Sequence, residues 1–212
     1  MFYVYSFLLI LIFFILFKSI YSCRKSVPIK IKVLSLCALG VLAIRYIVLL
    51  VLFLINSIKY LYLLKSVYFL NFLVIPIIAL IALYILGRSD KIKFNLVYLI
   101  TGAMSIVYII AMVISISSVV LTQFGYTIRI VHPMFFIYGY ILLSIGLVAI
   151  SAALLKKKHI NKFGAYLTFF ASIIGACELT LAVFGIRIFP QNIIGDVMWM
   201  LAFAFAIEQF EK

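Results

Sequence analysis

Along the whole chain, apolar stretches of about 20 residues alternate with short breaks that carry most of the polar side chains. A helix rises about 1.5 Å per residue, so each stretch is long enough to cross a hydrocarbon layer about 30 Å thick. Backbone groups in hydrocarbon must be satisfied internally, which leaves helices or a closed barrel. The stretches show no period-2 alternation, so the pattern predicts helices. Seven are expected, over residues 2–22, 33–55, 67–86, 95–117, 133–155, 163–186 and 193–210. The predicted fold is an all-α bundle of seven transmembrane helices, a single domain over residues 1–212. Most breaks are short, so consecutive helices should pack as antiparallel neighbours. The longest outer break, 118–132, holds Thr122, Gln123, Gly125 and Tyr126 and is expected to cap the outer mouth. Pro76 is expected to kink the third span. The pairs Ala149/Ala153, Ala171/Gly175, Ser172/Ala176 and Ala202/Ala206 have the small-residue spacing that lets helices approach closely, and are expected to pack internally.

Composition reinforces this picture. The chain is 68% hydrophobic and 11% charged, with a mean hydropathy of +1.36. Charged residues make up roughly 25% of a soluble domain. The net charge of +13 would suit nucleic acid, but the cations sit in short breaks and no soluble domain holds a groove, so nucleic acid is not an expected partner. Their distribution sets orientation instead. Odd-numbered breaks hold twelve: Lys18, Arg24, Lys25, Lys30, Lys32, Arg88, Lys91, Lys93, Lys156, Lys157, Lys158 and Lys162. Even-numbered breaks hold four: Lys59, Lys65, Arg129 and Arg187. The positive-inside rule then places the N-terminus outside and the C-terminus in the cytoplasm, in a multi-pass protein of the cell membrane whose basic inner face attracts anionic headgroups. The first span lacks a basic leader region and a cleavage site, so it is expected to stay uncleaved. None of Cys23, Cys37 and Cys177 falls in an outer break, so no structural disulfide is expected. The richness in Ile, Lys, Phe and Tyr suits a low-GC prokaryotic source.

Away from the inner ends of the spans, three charged residues fall within or at the edge of them: Arg45, Glu178 and Asp196. Such residues are costly in hydrocarbon and face the bundle interior. Arg45 and Glu178 both fall slightly outward of mid-span, within about 5 Å of one another in depth, so an Arg45–Glu178 pair is geometrically possible. Asp196 is placed at the outer edge, satisfied by water or Arg187. Asn71 and Tyr138 lie at similar depth, as do Tyr108, Tyr140 and Thr180. The candidate ligand site is therefore Arg45, Asn71, Tyr138, Glu178 and Asp196. A static pair that fixes helix register is the competing reading. His132, at the outer start of the fifth span, is a pH-sensing candidate or a solvated loop residue; His159 is expected to be solvated.

No enzyme is expected. Two histidines on opposite faces do not make a three-His zinc site, no lysine deep within a span offers a retinal Schiff base, and no phosphate loop or nucleophile elbow occurs. No catalytic residue, metal or cofactor is expected.

Three stretches carry a resemblance. They are FLNFLVIPIIALIALYI, with Pro76 and Tyr84; HPMFFIYGYILL; and IIGDVMWMLAFAFAI, with Asp196. Together with the span order, they resemble the seven-transmembrane N-terminal sensor region of bacterial membrane histidine kinases and some diguanylate cyclases. Where that module's sixth helix often carries a proline, this chain has Glu178. The resemblance implies a membrane sensor that binds a small or amphiphilic ligand in the outer half and signals to a separate cytosolic protein. A small-solute transporter or permease, and an accessory or immunity-type membrane protein, remain open alternatives.

Overall fold

A computed structural model describes residues 2–54, 64–87, 93–122, 125–131, 134–157, 160–184, 186, 189 and 192–210. The expected Lys59, Arg88, Lys91, Lys158 and Arg187, both histidines, Gln123 and Pro133 lie outside the described residues. In chain order the elements are α1 (Phe2–Ser26), α2 (Ile29–Leu54), α3 (Lys65–Tyr68), α4 (Asn71–Gly87), α5 (Asn95–Ile114), β1 (Ser117–Thr122), β2 (Gly125–Ile130), α6 (Met134–Leu155), α7 (Lys162–Val183) and α8 (Ile193–Glu208).

Local chemistry sets several of these ends. Pro28 has no amide to donate, and its carbonyl accepts from Lys32 N at 2.8 Å, opening α2 where a helix N-terminus tolerates proline. The Asn161 side chain accepts from Phe163 N and Gly164 N and caps α7. The Lys65 ammonium donates to Met112 O at 2.8 Å and also to Ser115 O, so a cation sits on the negative end of α5.

The chain is mostly helical, and the described residues hold six segments long and apolar enough to cross a membrane: Tyr3–Ser26, Ile29–Leu52, Lys65–Gly87, Asn95–Ile114, Ile137–Leu155 and Lys162–Val183. Large apolar side chains such as Phe7, Phe14, Phe17, Val113 and Leu142 point outward, as a lipid-facing exterior requires. The seventh expected span corresponds to α8, which has only 16 residues and reaches about 24 Å. It is nonetheless well enclosed. It packs against α1, α4 and α7, and Ala202, Phe203, Ala206 and Ile207 are wholly buried. At the centre is α4, which touches α2, α5, α6, α7 and α8.

Two expectations change here. Where a break over 118–132 was expected, β1 and β2 form an antiparallel pair in register from Ser117↔Ile130 to Thr122↔Gly125. Its strand β2 packs on α2 and buries Thr127, Ile128 and Ile130, while Arg129 stays exposed. The third span is not one helix. It breaks at Phe69 and Leu70, between α3 and α4, and α4 then runs through Pro76 as a single helical element. Of the small-residue pairs, Ala171, Ser172, Ala202 and Ala206 are buried, whereas Ala149 and Ala153 are on an exposed face of α6.

Candidate functional site

The described residues hold one fully buried charge cluster, and it is built on the break between α3 and α4. In a continuous helix the carbonyl of Tyr68 would accept from the amide of Phe72. That amide donates instead to Phe69 O at 3.1 Å. The Tyr68 carbonyl accepts from Arg45 Nε at 3.3 Å. Arg45, on α2, is 0% exposed. Its Nη1 donates to Asp196 Oδ2 at 2.8 Å, and the Tyr46 hydroxyl donates to the same carboxylate oxygen at 3.0 Å. The guanidinium carbon also stands 4.8 Å from the centroid of the Tyr46 ring, within cation–π range. One arginine thus joins α2, the α3–α4 break and the first turn of α8. Bare burial of either charge would cost several kcal/mol; mutual pairing and the added hydrogen bonds offset that cost.

Glu178 does something different. Its Oε2 accepts from Gly195 N at 2.8 Å and its Oε1 from Ile194 N at 3.5 Å. Asn192, the residue at the start of α8, is left-handed at φ 54° and gives no side-chain cap. The first amides of a helix have no partner within it, and their end of the helix dipole favours an anion. Glu178 of α7 fills that role from outside the helix. The two backbones meet there: a Cβ on Gly195 would stand 2.9 Å from Gly175 Cα and 3.3 Å from Glu178 Oε2. Glycine at 195 is what permits this approach.

The Arg45–Glu178 pairing is therefore corrected to Arg45–Asp196, and Asp196 is 2% exposed rather than solvated at an outer edge. The reason lies in depth. Arg45 is about 13 Å from the end of α2, and Asp196 only about 4 Å from the start of α8. For the two to touch, α8 must begin about 9 Å below the end of α2.

Of the other candidates, Asn71 is buried at the first position of α4, one turn from Tyr68. Tyr140 is buried, its ring edge-on to Phe72 at 4.8 Å. Tyr138, two residues earlier, is 57% exposed and faces outward, away from the buried cluster. Thr180 is exposed and donates to Ala176 O at 2.7 Å within its own helix. The Tyr108 hydroxyl donates to Ser66 O. Tyr5 on α1, Tyr108 and Tyr140 lie within electrostatic reach of Arg45. Tyr5, Tyr46 and the Tyr68 carbonyl had no place in the expected site. Only Tyr46, adjacent to Arg45, carried a signal that sequence reasoning had available.

A second ion pair stands at the far end of α8, where Lys18 Nζ meets Glu208 Oε1 at 2.6 Å with both side chains partly exposed. Among the described residues, no three His, Cys, Asp or Glu side chains gather as a metal site would need. The arrangement binds helices to one another through charge, at both ends of one buried helix. No protein-family model matches this chain, and no curated protein matches it.

Proposed function

We propose that the chain is a multi-pass membrane sensor that passes a change in the outer half of its bundle to a cytosolic signalling protein. In this reading α8 is a seventh crossing helix, short because the helices around it shield its ends from lipid. The N-terminus lies outside and the C-terminus in the cytoplasm of a prokaryotic cell. A small or amphiphilic ligand enters the outer half and contacts Arg45, Asp196, Glu178 and Asn71. Tyr138, on the outward face of α6, would meet it only on a route from the lipid. The chain itself performs no chemistry.

One observation carries the proposal: α8 has an ion pair at each end, Arg45–Asp196 and Lys18–Glu208. Their positions on the helix are 12 residues apart, about 18 Å. A packed helix transmits a shift or rotation along its length. A ligand that binds better when Arg45 and Asp196 are apart shifts α8 toward a second position, to the extent of its differential affinity. Lys18 and Glu208 then report that shift at the basic face. The resemblance of IIGDVMWMLAFAFAI to the last helix of the sensor module also points to α8.

The test is in-cell crosslinking and recovery through a C-terminal tag, with partners identified by mass. Wild type should recover a cytosolic kinase, cyclase or regulator. A folded Arg45→Met/Asp196→Leu variant should change that partner's recovery or output. No specific partner, or the same output from the folded variant, would refute signalling, and flux assays in liposomes would then test the transporter reading.

A further inference from the structure

We infer that the corner formed by the end of α1, the start of α2 and the start of α5 is a binding site for the headgroup of an anionic phospholipid. This inference stands apart from the sensor reading. Arg24 and Lys25 close α1, and Lys30 and Lys32 lie in the opening turn of α2. The two helix ends are held together: Cys23 Sγ lies 3.9 Å from Lys32 O, and Val27 between them is buried. The start of α5 joins them, because the Tyr98 hydroxyl donates to Lys30 O at 2.5 Å. That contact brings in Lys93, which stands just ahead of α5.

Apart from Lys156, the other described lysines at the same end of the bundle are engaged. Lys18 pairs with Glu208, Lys157 donates to Gly87 O at 3.3 Å, and Lys162 donates to Leu155 O and Lys157 O. Among the described residues, the side chains of Arg24, Lys25, Lys30, Lys32 and Lys93 make no ion pair and no hydrogen bond. No acidic side chain among the described residues neutralises them. Five like charges with no counter-ion among the described residues attract an anion, and clusters of four to eight Lys/Arg beside a membrane helix suit acidic headgroups.

The apolar surroundings favour a lipid over a free anion. Ile10, Phe14, Phe17 and Tyr21 recur at helical spacing on α1, all strongly exposed, and their stripe ends at Arg24. Acyl chains laid along that stripe place a phosphate at the level of Arg24 and Lys25. Exposed Tyr21 and partly exposed Tyr98 stand at that level, where tyrosine rings concentrate at a membrane interface.

The test uses the full chain, purified and reconstituted with equal phosphatidylglycerol and phosphatidylcholine, with retained lipid counted by native mass spectrometry. Wild type should retain phosphatidylglycerol preferentially. Lys30→Gln/Lys32→Gln should lose that preference about 25-fold, from about fivefold per basic side chain at a membrane surface. Lys30→Arg/Lys32→Arg should keep it, and Lys156→Gln, an exposed lysine at the end of α6, should leave it unchanged. Glycerol phosphate in solution should not displace the lipid. Equal retention of both lipids by wild type overturns the inference, whatever the variants do. So does equal loss in Lys156→Gln, or displacement by glycerol phosphate.

Discussion

Replacing Arg45 by methionine is the sharpest perturbation of the buried cluster. Methionine fills much of the same volume but removes three interactions: the ion pair to Asp196, the hydrogen bond to Tyr68 O and the stacking on Tyr46. Asp196, 2% exposed, would keep the Tyr46 hydroxyl as its hydrogen-bond donor. Removing one partner of a buried ion pair costs about 3–5 kcal/mol, because the other charge stays desolvated. Replacing both partners by apolar residues is often neutral or stabilising. Arg45→Met should therefore lose about 3–5 kcal/mol, Asp196→Leu a similar amount, and the double variant far less than their sum, with a coupling energy of about 2 kcal/mol or more. Denaturant unfolding in mixed micelles reads this directly. Trp199, the only tryptophan, is buried in α8 one turn from Asp196 and reports the transition. A single-variant loss below about 1 kcal/mol, or strict additivity in the double, would refute the claim that the pair works as a unit.

Two further outcomes follow in the same assay. Glu178→Ala should cost about 1 kcal/mol, the scale of a lost helix cap, and Glu178→Gln less, since one oxygen still accepts from Gly195 N. A loss as large as that of Arg45→Met would mean that Glu178 balances a charge rather than a helix end. Gly195→Ala should destabilise by about 1–3 kcal/mol, because its Cβ would press on the Gly175 backbone at 2.9 Å. Gly175→Ala, whose nearest neighbour would be Trp199 Nε1 at 3.8 Å, should be tolerated. Equal effects at the two glycines would contradict the close approach of α7 and α8.

Hydrophobic run length located the six long apolar helical segments, because that property is local to each segment. Errors at the ends have local causes too. The first helix continues to Ser26, past Lys18, Arg24 and Lys25, because basic residues at a C-terminal turn favour the helix even outside the apolar layer. The break at Phe69 and Leu70 left no mark in composition: both are apolar, and the carbonyl it frees is accounted for by an arginine 23 residues away. Pro76, where a kink was expected, lies inside α4, beyond that break, and α4 stays helical through it. The hairpin was readable in part, since SSVVLT and GYTIRI, separated in the sequence by Gln123 and Phe124, are rich in β-branched residues. The expected span over 95–117 had absorbed its first residue, Ser117. Arg45, Glu178 and Asp196 were recognised by charge alone, but their partners depend on where α8 begins in depth. A position within a span gives depth only if the span starts at the membrane surface, and α8 does not start level with the end of α2.

The coupling of the two ends of α8 is open to a single measurement. A zero-length carbodiimide joins Lys18 to Glu208 only while the amine and carboxylate are in contact, as they are at 2.6 Å. The crosslink yield, read by mass spectrometry of peptides, should be high in wild type and should fall several-fold in folded Asp196→Asn. That change alters only the far end of the helix, about 18 Å away. An unchanged yield in folded Asp196→Asn would contradict transmission along α8, and with it the sensor mechanism proposed for this chain.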